Sequence, residues 1–203
     1  SVGRRAGERT IGRLGARKLP TMKAPVLYSP DVARGLVGHF IGAIRGGSQY
    51  RRASFLLEAA GQRVFPDWFA LSERPHLLKA LASAPFDHEG VTTRDRELVE
   101  AGVLLGYVLS TYSARKLGLR TTGNAGGTHN LLVHGRGRDF DQMLQLMDRG
   151  LYVTELMGQG VNGVTGDYSR GAGGFWVENG QIQYPVHEVT IAGHLKDMYQ
   201  KIV

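Results

Sequence analysis

At 203 residues, with 42% apolar and 21% charged side chains, the chain has the make-up of a folded globular protein and not of a disordered one. It contains no cysteine, which excludes disulfides, thiolate zinc sites and cysteine nucleophiles and fits a reducing compartment, the cytoplasm by default. No apolar run approaches the ~20 residues of a membrane helix, and no apolar signal core follows the basic N-terminus, so neither anchor nor signal peptide is expected.

The net charge of +7 raises the question of phosphate binding. Arg4, Arg5, Arg9, Arg13, Arg17 and Lys18 crowd the first eighteen residues, and four of them recur at every fourth position, on one stripe of a helix. A solvated helix face accounts for that stripe, and the other basic residues are scattered, so nucleic acid is not the expected partner.

Residues 4–18 read as a helix with Ala6, Ile11, Leu14 and Leu19 opposite the arginines, weakened by Gly3, Gly7, Gly12 and Gly15. Residues 26–28 suit a short strand. Ser29-Pro30-Asp31 then carries helix-start chemistry, and Val32, Leu36, Val37, Phe40, Ile41 and Ile44 continue a helix to a stop near Gly46-Gly47. The period cannot separate helix from strand over 48–60. Residues 69–72 are a strand candidate, 77–81 a short helix or loop, and 86–91 a polar turn. Over 96–110 two strands joined at Ala101-Gly102 are favoured, with helix the competing reading.

A short helix over 111–117 ended by Gly118, a loop over 121–127 and a strand over 130–134 follow. Residues 139–147 carry Phe140, Met143, Leu144 and Met147 at helical spacing and predict a helix closed by Gly150. Residues 151–156 form a strand. After glycine-rich turns, 173–178 and 181–185 flank Asn179-Gly180, the strongest hairpin signal in the chain, and a helix starts near Leu195. Hairpin-linked strands without βαβ alternation predict an α+β fold, a largely antiparallel sheet with several packed helices, in a single domain over 1–203.

His187-Glu188 opens like a zinc-peptidase helix, but the next histidine is His194, about 10 Å further along a helix axis, and the segment reads as strand. Asp87-His88-Glu89 reads as a solvated turn. His129 and His134 have odd spacing, which puts them on opposite faces of a strand. Ser169 lacks the nucleophile-elbow pattern. Gly163-x-x-Gly166 and Gly171-x-Gly173-Gly174 lack the ending of a P-loop and the context of a dinucleotide fingerprint. A glycine-rich groove against which an extended peptide lies through main-chain groups is at least as plausible.

Residues 160–180, Tyr184-Pro185-Val186 and 188–193 resemble the C-terminal region of the TldD/PmbA metallopeptidase family, in its PmbA (TldE) branch. The resemblance continues through 13–18, 86–91, 112–118 and 122–127 and so covers nearly the whole chain. It implies a cytoplasmic peptidase complex in which a TldD-type subunit carries a zinc-binding His-Glu-x-x-x-His helix. That complex is associated with peptide-antibiotic maturation and with degradation of unfolded peptides, and an older name links it to DNA gyrase. At the position of the zinc helix this chain has His39 alone, in 35–42, with no carboxylate. A catalytic zinc takes about three protein ligands. The resemblance therefore implies a partner without cofactor or catalytic residue of its own, with zinc in the TldD-type subunit and a peptide or unfolded protein as substrate. Self-association is a further possibility.

Asn162, Thr165, Gly166, Asp167, Tyr168, Arg170, Gly171 and Gly173 are the candidates for peptide cleft or subunit contact. His194 departs from the asparagine usual in the family. The pattern starts and stops inside that of the family, so an N-terminal domain and a last C-terminal segment are expected beyond this chain. A nucleic-acid or gyrase-associated module, and a peptidase acting on its own, are the alternative readings.

Overall fold

The computed structural model describes residues 1–203 as six helices and eight strands. The first helix, α1 (Val2–Ile11), is shorter than its spacing suggests, because Gly12 caps it and Gly15 turns left-handed at φ +71°. It buries no side chain, and Ile11 and Leu14 are exposed. Arg13 and Arg17 lie beyond it, so the arginine stripe is broken. Arg13 pairs with Glu155, and Arg17 lies over the Tyr184 ring.

Strand β1 (Val26–Tyr28) leads into α2 (Pro30–Ile44), where the Ser29 carbonyl accepts from the Val32 and Ala33 amides and Asp31 sits in the first turn. α2 stops at Ile44, beside the expected Gly46-Gly47, and after a bend at Arg45 the chain enters a further helix, α3 (Gly46–Tyr50). Glycine at 46 serves packing here, since a Cβ would lie 2.3 Å from Ser113 Oγ.

Strands β2 (Ala70–Glu73), β3 (Arg96–Glu100) and β4 (Val103–Leu104) follow, and the 96–110 ambiguity resolves as a hairpin whose pairing ends at Leu104. Ala101 and Gly102 both take positive φ, as a tight hairpin turn requires, and a Cβ on Gly102 would be 2.2 Å from the Phe65 carbonyl oxygen. Residues 77–81 are turn. Helix α4 (Thr111–Leu117) has a capping box between Ser110 and Ser113, and Gly118 closes it left-handed. β5 (Leu131–His134) precedes α5 (Phe140–Met147), which has a capping box between Asp139 and Gln142. Asp148 at φ +56° closes α5; Gly150 already belongs to β6 (Gly150–Met157).

The last two strands are longer than their hydrophobic pattern suggests. β7 (Asp167–Glu178) starts six residues before the expected 173 and runs through Gly171, where a turn is expected, and β8 (Gln181–His194) runs past Pro185 to α6 (Leu195–Gln200). The physical reason is close approach: a Cβ on Gly174 would sit 1.9 Å from the Tyr152 carbonyl oxygen, beside a register shift in β6. The tight turn is confined to residues before Asp167. Asn179 and Gly180, both at positive φ, make the predicted hairpin.

The chain divides into two compact units. The first, residues 1–37, 138–161 and 168–192, holds a sheet ordered β1-β6-β7-β8, antiparallel except for the parallel β1–β6 pair. Leu151, Val153, Ala172, Trp176 and Val186 form its core, with Leu19, Val26 and Tyr184 packed on it. The second, residues 38–137, 162–167 and 193–203, holds the antiparallel sheet β4-β3-β2-β5. Its core gathers aromatic rings: Phe65 stacks on Phe69 with centroids 4.1 Å apart and meets Phe40 edge-on at 5.0 Å and Tyr199 at 4.9 Å. No helix is long and apolar enough to cross a membrane.

Candidate functional site

In the second unit, Asn162, Thr165, Gly166 and Asp167 form a closed turn. Asn162 Oδ1 accepts from the amides of Val164 and Thr165 at 2.9 and 3.2 Å, the Asx geometry for which asparagine is favoured in turns. The Gly166 amide donates to the Asn162 carbonyl at 2.8 Å, the Asn162 amide to the Asp167 carbonyl at 2.9 Å, and Thr165 Oγ1 to Asp167 Oδ2 at 2.5 Å. Backbone bonds fix the turn to the same unit, from Phe55 to Gly163 and from Leu195 to Gly166. His194 Nε2 donates to the Thr165 carbonyl at 2.8 Å, which sets its tautomer. Gly166 has φ +91°, and a Cβ there would lie 2.9 Å from the His194 ring. Asn162, Gly163, Val164 and Thr165 are all exposed, so the turn lies at the surface while its polar groups largely bind each other.

In the first unit, Tyr168, Arg170, Gly171 and Gly173 lie along β7. Tyr168 is only 1% exposed. Its hydroxyl faces that of Tyr28; burial raises the pKa of both phenols, and Arg170 opposes the rise. Arg170 Nε donates to the Met157 carbonyl at 3.1 Å. Gly171 packs on Met157, and a Cβ on Gly173 would be 3.0 Å from Glu155 Oε1. These glycines let β6 and β7 approach. The eight candidates therefore fall into an exposed turn in one unit and a packed strand segment in the other.

A polar network in the second unit carries no pattern in the sequence. Glu73, at the end of β2, is 1% exposed, and its Oε1 accepts from Asn124 Nδ2 at 2.8 Å, the His129 amide at 2.7 Å and His129 Nδ1 at 2.9 Å. Arg96 Nε lies 4.0 Å from Glu73 Oε2, and the guanidinium donates to Asn124 Oδ1 and the Tyr107 carbonyl. Burial lowers the Arg96 pKa, against the pull of Glu73. His134 instead bonds Ser72 Oγ at 2.8 Å, so the two histidines reach adjacent residues of β2, as their odd spacing implies.

Asp87 is a correction to the solvated-turn reading: it is 4% exposed and accepts the amides of Glu89, Val91 and Ala125. Burial alone would raise its pKa, but those three donors and the nearby His129 hold it below the ordinary aspartate value. Glu89 accepts the Thr111 amide at 2.8 Å. Together these groups order the loops around α4. A buried acid among apolar strand residues can be found only once its partners from 96, 124 and 129 are in place.

Nowhere do three His, Asp or Glu side chains come together to hold a metal ion. His39 is half-buried on α2 and belongs to no group of three such side chains, so the residues present do not make the three-ligand set of a catalytic zinc. His187 and His194 lie seven residues apart on β8, whose alternation is interrupted at Glu188 with φ +53°, and neither belongs to a group of three metal donors. Glu188 pairs with Lys18 at 2.6 Å.

Residues 21–203 match the model of the PmbA/TldA metallopeptidase C-terminal domain. The chain is 59% identical over 202 residues to Metalloprotease PmbA of Escherichia coli O157:H7, covering 100% of this chain and 45% of that protein. It is 24% identical to a Metalloprotease TldD homolog of Haemophilus influenzae over 82% of this chain and 36% of that protein. Among solved structures, a gyrase-modulator candidate from Bacteroides thetaiotaomicron superposes with a TM-score of 0.94 at 32% identity, over 99% of this chain and 46% of that one. TldE from Thermococcus kodakarensis shares the fold at a TM-score of 0.85 and 24% identity, over 98% and 48%. The chain spans about half the length of the curated PmbA relatives it matches.

Proposed function

The chain belongs to the PmbA/TldD metallopeptidase family, and from that premise we propose that it is part of a subunit without catalytic zinc, paired with a TldD-type peptidase in the cytoplasm. The observation that supports the reading is that no three His, Asp or Glu side chains of the chain converge on a metal, with His39 the single histidine of α2. Zinc, in this reading, is held by the partner chain, and the substrate is an extended or unfolded peptide, including antibiotic precursors that need trimming.

The turn of residues 162–167, exposed at 162–165, is our candidate for peptide or subunit contact. Its internal bonds pre-order it, so little conformational entropy is lost when another chain docks on it. Mixing the full-length protein with a TldD-type partner should yield chelator-sensitive hydrolysis of an unfolded peptide. Equal hydrolysis by the full-length protein without the partner would refute the division of labour.

A further inference from the structure

The second unit carries a surface patch in which two tyrosines hold two cations. α3 ends in Tyr50, and α4 begins Thr111-Tyr112; the rings meet edge to face, with centroids 5.8 Å apart and planes at 82°. The Arg51 guanidinium lies over the Tyr50 ring at 5.4 Å and donates to its hydroxyl at 3.3 Å, and Lys116 Nζ lies 5.7 Å from the Tyr112 centroid. Tyr112 is 54% exposed, and Arg51, Arg52, Arg115 and Lys116 are exposed. Of the acids tied to these elements, Glu58 is taken by Arg52 at 3.0 Å and Glu89 by the Thr111 amide. The result is a surplus of positive charge, with no carboxylate within 4.0 Å of the charged groups of Arg51, Arg115 or Lys116.

We propose that this patch, Tyr50 and Tyr112 with Arg51 and Lys116, docks acidic segments of extended peptides. The proposal rests on the peptide-processing reading above and names a substrate class for it. A long cationic side chain in water loses rotamer freedom when it binds; one already laid on an aromatic face has lost part of that freedom beforehand and still presents its remaining N–H groups. Carboxylates complement the charge, and guanidinium donors suit them geometrically. A single-stranded nucleic acid is the less suitable polyanion. The rings cross almost at right angles and each carries a cation on a face, which is not the run of open, roughly parallel faces on which successive bases stack.

The test uses the full-length protein that carries this chain, without a peptidase partner, so that it reads binding whether or not the subunit reading holds. Fluorescence anisotropy with a labelled glutamate decapeptide, and with its glutamine counterpart, is measured at low and at physiological salt. Binding of the glutamate peptide alone, weakened by salt, is expected. Arg51→Glu with Lys116→Glu should weaken it about ten-fold, while Arg4→Glu with Arg5→Glu, the same change in net charge on α1, should leave it within about two-fold. Equal loss in the two double variants would reduce the effect to net charge and overturn the patch. No binding at low salt overturns it as well, as does a deoxythymidine decamer that binds more tightly than the peptide and loses affinity in the same variant.

Discussion

Replacing Gly166 by alanine tests whether the 162–167 turn is as rigid as its bonds imply. The glycine sits at φ +91°, where an alanine costs about 1–2 kcal/mol in backbone strain. Its Cβ would also lie 2.9 Å from His194 Cε1 and 3.1 Å from Phe55 Cγ, so the imidazole must move and release the Thr165 carbonyl, a further ~1 kcal/mol. The expected loss is about 2–3 kcal/mol, read as a lower urea midpoint at unchanged slope in the full-length protein. Gly163→Ala is the matched control: it lies three residues away, with no left-handed φ and nothing within 4 Å of its added Cβ, and should stay within ~0.5 kcal/mol. If Gly166→Ala is as mild as Gly163→Ala, the turn yields freely and cannot be the pre-ordered contact described above.

Leu71→Ala and Leu98→Ala, each at a side chain fully buried in the β2–β3 sheet, should each cost about 2–5 kcal/mol by urea denaturation; less than 1 would mean that sheet is not core. Glu73→Gln should destabilise by about 2–3 kcal/mol, because the donors of Asn124 and His129 would face a neutral amide and Arg96 would lose its counter-charge. Stability matching that of the wild type would show that the network contributes nothing. Asp87 has a folded pKa below its unfolded value, so its contribution is complete above about pH 3.9 and is lost as pH falls through the lower folded pKa. Asp87→Asn should therefore flatten the acid limb of stability against pH, and an unchanged limb would contradict that assignment.

What could be read from the chain alone divides along physical lines. Local chemistry was legible: Pro30 and Asp31 start α2, the spacing of Phe140, Met143, Leu144 and Met147 marks α5, and Asn179-Gly180 turns the last hairpin, each through residues close in sequence. Long-range packing was not. The contact with Ser113 that requires a glycine at 46 has no local signal, and Gly171 reads as a turn until β6 lies alongside. The same division holds at the site. The Asn162-to-Asp167 turn declares itself in its residues, whereas the burial of Tyr168 and the Glu73 network depends on partners tens of residues away. That 35–42 holds a single histidine and no carboxylate is legible directly, because residue identity is a local fact.

Zinc content tests the central claim most directly. The full-length protein, purified without a TldD-type partner and dialysed against trace zinc, is analysed by mass spectrometry of the metal. Far less than one zinc per chain is the predicted result, given one histidine on α2 and no converging donors. One tightly held zinc per chain, surviving dialysis and released together with a peptidase activity of the isolated protein, would contradict the account.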